Sequence, residues 1–371
     1  SGVTDEIGFV GAVTYRNSFQ RNDKMINDEA MGRSNVGTRD DFSVLWGALA
    51  NVSYKFDGLH KLSLNTNYNQ NAEDQVGRFL GYDQNTSLEN RFTVVSWNQR
   101  SMSSGQLTGE HNVPSFGGLI LDWRASISTS KRSVPDRKEV TYYRALDDPT
   151  GQFQVATNQR SWSDLNDHST SLLVNVLVPV ASGMKVKLGL LDEGKRTDYR
   201  IRYFNVRPDY IGGVTEILTT APLEAVYNSN NFGPGKFIFE ESSKASDSYD
   251  ADSRLYSAYA MIDASFSAFE NKFRFVGGTR LENSEQRIRV PRTIVAGGPV
   301  DQTQVKNVDL LPSMNFTYRV NESTNLRLAF SHSVNRPEFR ELASTGFYDF
   351  IKYEMVGGNP DLKRSYARNY D

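Results

Sequence analysis

Residues 42–56 read Phe42-Ser43-Val44-Leu45-Trp46-Gly47-Ala48-Leu49-Ala50-Asn51-Val52-Ser53-Tyr54-Lys55-Phe56. Every even position is apolar or aromatic. The odd positions mix Ser, Gly, Asn and Lys with two Leu. In a chain that is 38% hydrophobic, eight such positions in a row arise by chance about 4 times in 10,000. Side chains on a strand alternate between its two faces, so this is one long strand with a wholly apolar face and a mixed face.

The same period recurs along the chain. Leu119, Leu121, Trp123, Ala125 and Ile127 oppose Asp122, Arg124, Ser126 and Ser128. Leu172, Val174, Val176 and Val178 oppose Ser171 and Asn175. Phe273, Phe275, Gly277, Thr279 and Leu281 oppose Arg274, Gly278, Arg280 and Glu282. Met314, Phe316 and Tyr318, then Leu326, Leu328, Phe330 and Val334, repeat it. No helical period of comparable length competes. The sequence predicts strands over 5–18, 40–56, 60–76, 88–112, 117–133, 163–179, 184–203, 251–268, 272–288, 305–319 and 324–336, with a twelfth starting near Ser365. These exceed the common length of soluble strands and the roughly 9–11 residues a tilted strand needs to cross a bilayer.

The connections carry a second signal. Those near 57–60, 113–117, 180–184, 269–272 and 320–324 are short; the first holds Asp57-Gly58, a tight-hairpin dipeptide. Those at 19–39, 77–87, 134–162, 204–250, 289–304 and 337–363 are read as longer. Short turns at one end and long loops at the other describe an up-and-down outer-membrane barrel. Aromatics beside the short turns (Tyr54, Phe56, Phe266, Phe269, Phe273, Phe316, Tyr318) suit an interfacial girdle.

Composition excludes several classes. Lys plus Arg is 42 and Asp plus Glu is 44, a net charge of −2, so no basic excess points to nucleic acid. There is no Cys, hence no disulfide scaffold or thiolate chemistry. The four His are scattered, and Walker A, GxGxxG and GxSxG patterns are absent. No enzyme, cofactor or metal site is predicted. The acidic run 247–252 lacks the Gly and closing Glu of a calcium loop and reads as a solvated strand entry. Arg274, Arg280, Glu282 and Arg327 are expected to face a wet lumen, because an Arg at mid-bilayer costs about 2–4 kcal/mol; Glu282 beside Arg280 reads as an ion pair. In the 204–250 loop, Tyr210, Tyr227, Phe232 and Phe237 are candidates for ligand contact, or for a core of the loop's own rings.

Two motifs near the end carry a family resemblance. Leu310-Leu311-Pro312-Ser313 and Asn325-Leu326-Arg327-Leu328-Ala329-Phe330-Ser331 lead into Asn335-Arg336-Pro337-Glu338-Phe339, and Gly358-Asn359-Pro360-Asp361-Leu362 follows. This stretch resembles the barrel of TonB-dependent outer-membrane receptors. Physically, Pro337 lacks a donor and suits a strand leaving its ladder, and Asn359-Pro360-Asp361 is turn chemistry, so both motifs are read as structural. The resemblance implies a barrel of about 22 strands closed by a plug. It further implies uptake of an iron-siderophore, cobalamin or oligosaccharide, powered by the inner-membrane TonB complex. The expected partners are outer-membrane lipid, the protein's own plug and that small-molecule or oligosaccharide ligand. On this reading residues 1–371 are the central part of one barrel domain, without plug or C-terminal strands. The rival expectation is a soluble or surface-anchored all-β binding protein, such as an adhesin or carbohydrate-binding sandwich.

Overall fold

The computed structural model describes residues 6–27, 33–83, 85–156, 158–209, 220, 223–226, 228–268, 271–295, 297–349 and 354–371. The strands are β1 (Glu6–Asn27), β2 (Arg33–Phe56), β3 (His60–Asp83), β4 (Leu88–Val113), β5 (Leu119–Ala145), β6 (Gln154–Val155), β7 (Asn158–Ala181), β8 (Met184–Pro208), β9 (Phe237–Glu241), β10 (Tyr249–Ala268), β11 (Asn271–Pro291), β12 (Val300–Arg319), β13 (Asn325–Asn335), β14 (Gly346–Asp349), β15 (Glu354–Gly357) and β16 (Ser365–Tyr370). Twelve of them form one antiparallel meander in the order β1-β2-β3-β4-β5-β7-β8-β10-β11-β12-β13-β16; β6 and β9 add to β5 and β8, and β14 pairs with β15 in a separate ribbon. The fold is all-β and up-and-down, as the alternation predicts. Among the described residues no helix is long and apolar enough to cross a membrane.

Register shows that the separate stripes are one surface. Directly paired residues share a face. Trp46 pairs with Tyr15 and Gln70, and Val52 with Phe9 and Leu64. Leu64 pairs with Leu107, Leu107 with Ala125 and Ala125 with Leu172. From there the row runs through Asp192 and its apolar neighbours Leu190 and Leu188 to Ala258 and Ala260, then Leu281, Leu310 and, lower down, Phe316 and Leu328. All the stripes of the sequence therefore lie on one face, and their large side chains are exposed or half-buried on it, none of them fully buried. Among the described residues no second layer covers that band. It is the face that meets lipid.

The short turns match expectation, and the reason is local. Asp57 and Gly58 both have positive φ (51° and 71°), the twist that joins antiparallel strands in two central residues. Asp57 Oδ1 also accepts from the Leu59 amide at 3.1 Å. The long connections need correction. β1 ends at Asn27 and β2 begins at Arg33, while β3 ends at Asp83 and β4 begins at Leu88. Much of what looked like loop is strand. β5 reaches 27 residues, far past a bilayer's requirement. Beyond the membrane both faces meet water or folded loop, so the apolar period that marks a half-lipid strand disappears.

At the long-loop end three small cores form: one of Phe79, Phe92 and Val94 on β3 and β4, and two more on opposite faces of the sheet. On the face opposite the lipid stripe, Tyr249, Ala251, Ile288 and Val290 are buried under Phe339, Leu342 and Ala343 of the loop after β13. On the stripe side, beyond the apolar band, Val155, Val206, Val226 and Phe237 form the other. The described part of the β8–β10 connection thus folds onto the outside of the sheet as far as β9, while residues 242–248 and the β13–β16 loop lie on the inside.

Candidate functional site: a cationic, tyrosine-lined cavity

The inner face is polar at mid-sheet. Asn175, almost fully buried, receives the Tyr259 hydroxyl at 2.6 Å and donates to Asp122 at 2.7 Å. Register places all four predicted lumen residues on this face. Arg274 forms a two-toothed pair with Asp263 (2.9 and 2.7 Å). Arg280 lies 2.6 Å from Glu282. Arg327 stands beside Thr317 near the short-turn end.

The two motifs hold the inner loop in place. After β13 ends, Arg336 reaches inward to Asp309 (2.5 Å), Glu282 (2.8 Å) and the Ser284 hydroxyl (2.9 Å). Arg364 and the Tyr366 hydroxyl also meet Asp309, at 2.7 and 2.5 Å. Both carboxylates are buried, so the three partners offset a desolvation cost of several kcal/mol per ion. The Pro337 carbonyl accepts from Gln286 at 3.0 Å, and the Glu338 amide donates to the Glu341 carboxylate at 2.8 Å to start the turn of helix Phe339–Leu342. Gly358 packs against the C-terminal end of that helix. A Cβ there would press on the Ala343 carbonyl and sit 2.6 Å from the Arg340 carbonyl. The Asn359 amide donates to the Glu341 carbonyl at 2.6 Å, and Asn359 Oδ1 accepts from Asp361 at 2.9 Å, turning the chain through Pro360 toward Leu362 and β16.

This clamp walls a cavity of about 510 Å3 on the inner face, within the usual range of ligand pockets. Its floor is the upper part of β5, β7 and β8, with Arg132, Arg137, Glu139, Tyr199 and Tyr203; its roof includes Lys244, Asp247, Tyr249 and Arg340. All lie beyond the apolar band, outside the membrane-spanning segments. Arg137 holds Glu139 at 2.6 Å, and Asp247 accepts from the Lys244 amide at 2.7 Å. Arg132 donates only to Asn98, at 3.3 Å; among the described residues no carboxylate lies within ion-pair distance of it. Burial first, then the nearby charges of Arg100, Arg340 and Arg137, lower its pKa. Burial raises the phenols of Tyr199 and Tyr203 and pushes Tyr249 up to about 12, so all three remain hydrogen-bond donors at neutral pH.

The sequence did not point to this cavity. Phe237 is buried with Val206 and Val226, and the Phe232 ring packs against that core, its centroid 6.4 Å from that of Phe237. That core lies on the opposite face from the cavity. Tyr210 and Tyr227 lie outside the described residues. The acidic run is spoken for: Asp250 pairs with Arg200 at 2.9 Å and Asp252 with Arg289 at 3.0 Å. Among the described residues no cluster of three metal ligands forms.

Comparison with known proteins follows the same lines. Residues 213–371 match the model of the outer membrane protein beta-barrel family. No curated protein matches the chain. Among solved structures it is similar to the siderophore receptor PiuA from Acinetobacter baumannii, with a TM-score of 0.47 and 11% identity over 90% of this chain and 49% of that one. It is also similar to the ferric yersiniabactin uptake receptor FyuA from Yersinia pestis, with a TM-score of 0.24 and 7% identity over 98% of this chain and 67% of that one. The chain thus spans about half the length of PiuA. Meander, lipid-facing band and family match together define an outer-membrane β-barrel chain. Its place is the bacterial outer membrane.

Proposed function

We propose that this chain is the central barrel portion of a TonB-dependent receptor. The whole protein would import a scarce ligand, an iron-siderophore, cobalamin or an oligosaccharide, past a plug inside the barrel. The inner-membrane TonB complex would supply the energy. One observation carries the reading. The strands continue far above the lipid band, and there the inner face carries a clamped loop beside a cavity. A receptor that captures its cargo before moving it needs such a chamber, whereas a simple pore does not. The receptor-like motifs also fall within the stretch that matches the barrel family. The four lumen residues would then line the path or meet the plug.

The test is genetic. Cells with and without the gene are grown on limiting iron, cobalamin or glycan. The account expects a growth defect on one of the three, reproduced by removing the inner-membrane energising complex. Equal growth on all three, or recovery of the full-length protein from the soluble fraction, contradicts it.

A further inference from the structure

We infer that the ribbon of upper β13 and β16, with the loop between them, is a hinged lid with two seats: the inner-face seat described above and a second in the wall beside β12. The hinge is visible in the pairing. β12 pairs with β11 along its whole length, from Arg319 to Val300. On its other side it pairs with β13 only from Arg319 to Ser313. That ladder stops where Pro312 arrives, a residue with no N–H to give. Above it β13 keeps its pairing with β16, from Ser331 with Asn369 to Asn335 with Ser365, so the ribbon leaves the wall as one piece. Its course is inward. Leu326 and Leu328 share the lipid-side parity of β13, yet Arg336, in the same parity, meets Glu282, Ser284 and Asp309 on the inner face. Tyr366, paired with Val334, also places its hydroxyl on Asp309.

Each seat leaves one demand unmet. Among the described residues the side-chain partners of buried Asp309 are Arg336, Arg364 and Tyr366, all from the lid, so the inner seat answers that carboxylate. It leaves β12 from Val300 to Pro312 with no strand on its β13 side among the described residues, a long edge of the kind folded proteins cover. The wall seat reverses this. Continuing the register past Ser313 and Ser331 sets Leu310 against Val334 and Asp309 against Asn335. The edge then gains a ladder, while Asp309 and Glu282 exchange their Arg336 contact for lumen water. Neither seat satisfies both demands, the condition for a two-position element rather than a fixed one. The lid carries Arg340, Thr345 and Gly346, which line the cavity. The inner seat closes the cavity and the wall seat uncovers it, whatever the barrel imports.

The experiment uses the full-length protein in lipid vesicles, with paired cysteines introduced by substitution and their disulfide counted by mass spectrometry after mild oxidation. In the inner seat Leu310 is exposed on the lipid side, while Val334 shares the inward-turned face of Tyr366. Leu310→Cys and Val334→Cys therefore join only in the wall seat, where directly paired Cβ atoms stand about 4.5–5.5 Å apart. A minor linked fraction is expected, rising at least about tenfold when Arg336→Met removes the latch. Pro312→Thr, which restores a donor and leaves the partners of Asp309 in place, should raise it as well. The pair Lys306→Cys and Val334→Cys should stay unlinked in both backgrounds, because a lid held in register keeps those positions apart. Equal linking of the two pairs means a loop that flaps freely and overturns the inference. A 310–334 link that neither Arg336→Met nor Pro312→Thr increases overturns it too, and leaves the receptor reading untouched.

Discussion

Arg336 shows how much one side chain can organise. It joins two buried carboxylates from β11 and β12 to the loop that follows β13. Arg336→Met should destabilise the β13–β16 loop by about 3–5 kcal/mol, because it strands Asp309 and Glu282 with fewer partners. Limited proteolysis of the folded protein reads this directly: cleavage within 336–364 should rise sharply while the barrel band survives. Gly358→Ala should act the same way through a different cause, since a methyl group has no room beneath the Ala343 carbonyl. A pH effect belongs at this scale as well. The Arg202 side chain, helped by the Ser243 hydroxyl, holds Glu241 down to about 2 from an ordinary 4.5. A depressed carboxylate contributes fully above its ordinary value and loses that contribution as pH falls toward its folded value. Amide exchange across 237–241 should stay slow near pH 5 and quicken as the pH is brought down toward 2.

At the scale of the strand, what the sequence revealed and what it hid have one cause. A strand between lipid and water alternates, and every stripe named from the sequence proved to lie on the same lipid-facing surface. Above the membrane the sides exchange roles. In β8 the apolar residues Val186, Leu188 and Leu190 give way to Tyr199, Ile201 and Tyr203, with Arg200 and Arg202 between them. The pairing with β10 runs through without a bulge. The greasy parity therefore switches from outside to inside within one unbroken strand. β11 does likewise, from Phe275 and Leu281 to Ile288 and Val290. That switch marks where lipid ends and the inner cavity begins, and it was legible in the sequence had parity been followed rather than only amplitude. The residues of the cavity roof were not, because Arg340 and Lys244 arrive by loop folding that no period encodes. Substitution separates the two faces. Leu188→Arg should cost about 2–4 kcal/mol in urea unfolding from lipid vesicles, whereas Ser128→Arg on the inner face of β5 should cost less than about 1 kcal/mol.

At the scale of the whole sheet, among the described residues the order ends in β1 and β16, each paired with one neighbour. Unpaired strand edges are templates for association, and a wide apolar band adds to that pull. Residues 1–371 in water should therefore scatter light as a polydisperse population and become uniform only in detergent. A sharp monomeric peak without detergent would count against a membrane sheet. The long-loop end carries the specific chemistry and the short-turn end its aromatic stacks, such as Phe273 with Phe266 and Tyr318 (5.5 and 4.9 Å between ring centroids). That polarity suits the receptor proposed above, which would meet its ligand on one side of a membrane and hand it on at the other.

The central claim is that the apolar rows lie against acyl chains, and residues 1–371 hold no Cys of their own to compete with an introduced label. Single variants Trp46→Cys, Val174→Cys and Leu281→Cys, with Ser128→Cys as the inner-face reference, carry a fluorophore in the full-length protein reconstituted into vesicles. Quenchers are attached either to the acyl chain or to a water-soluble anion. The account predicts quenching from the acyl chain at the first three sites and from water at the fourth. Water-side quenching of the stripe labels, or no quenching from either side, would mean that protein or solvent covers those rows and would contradict it.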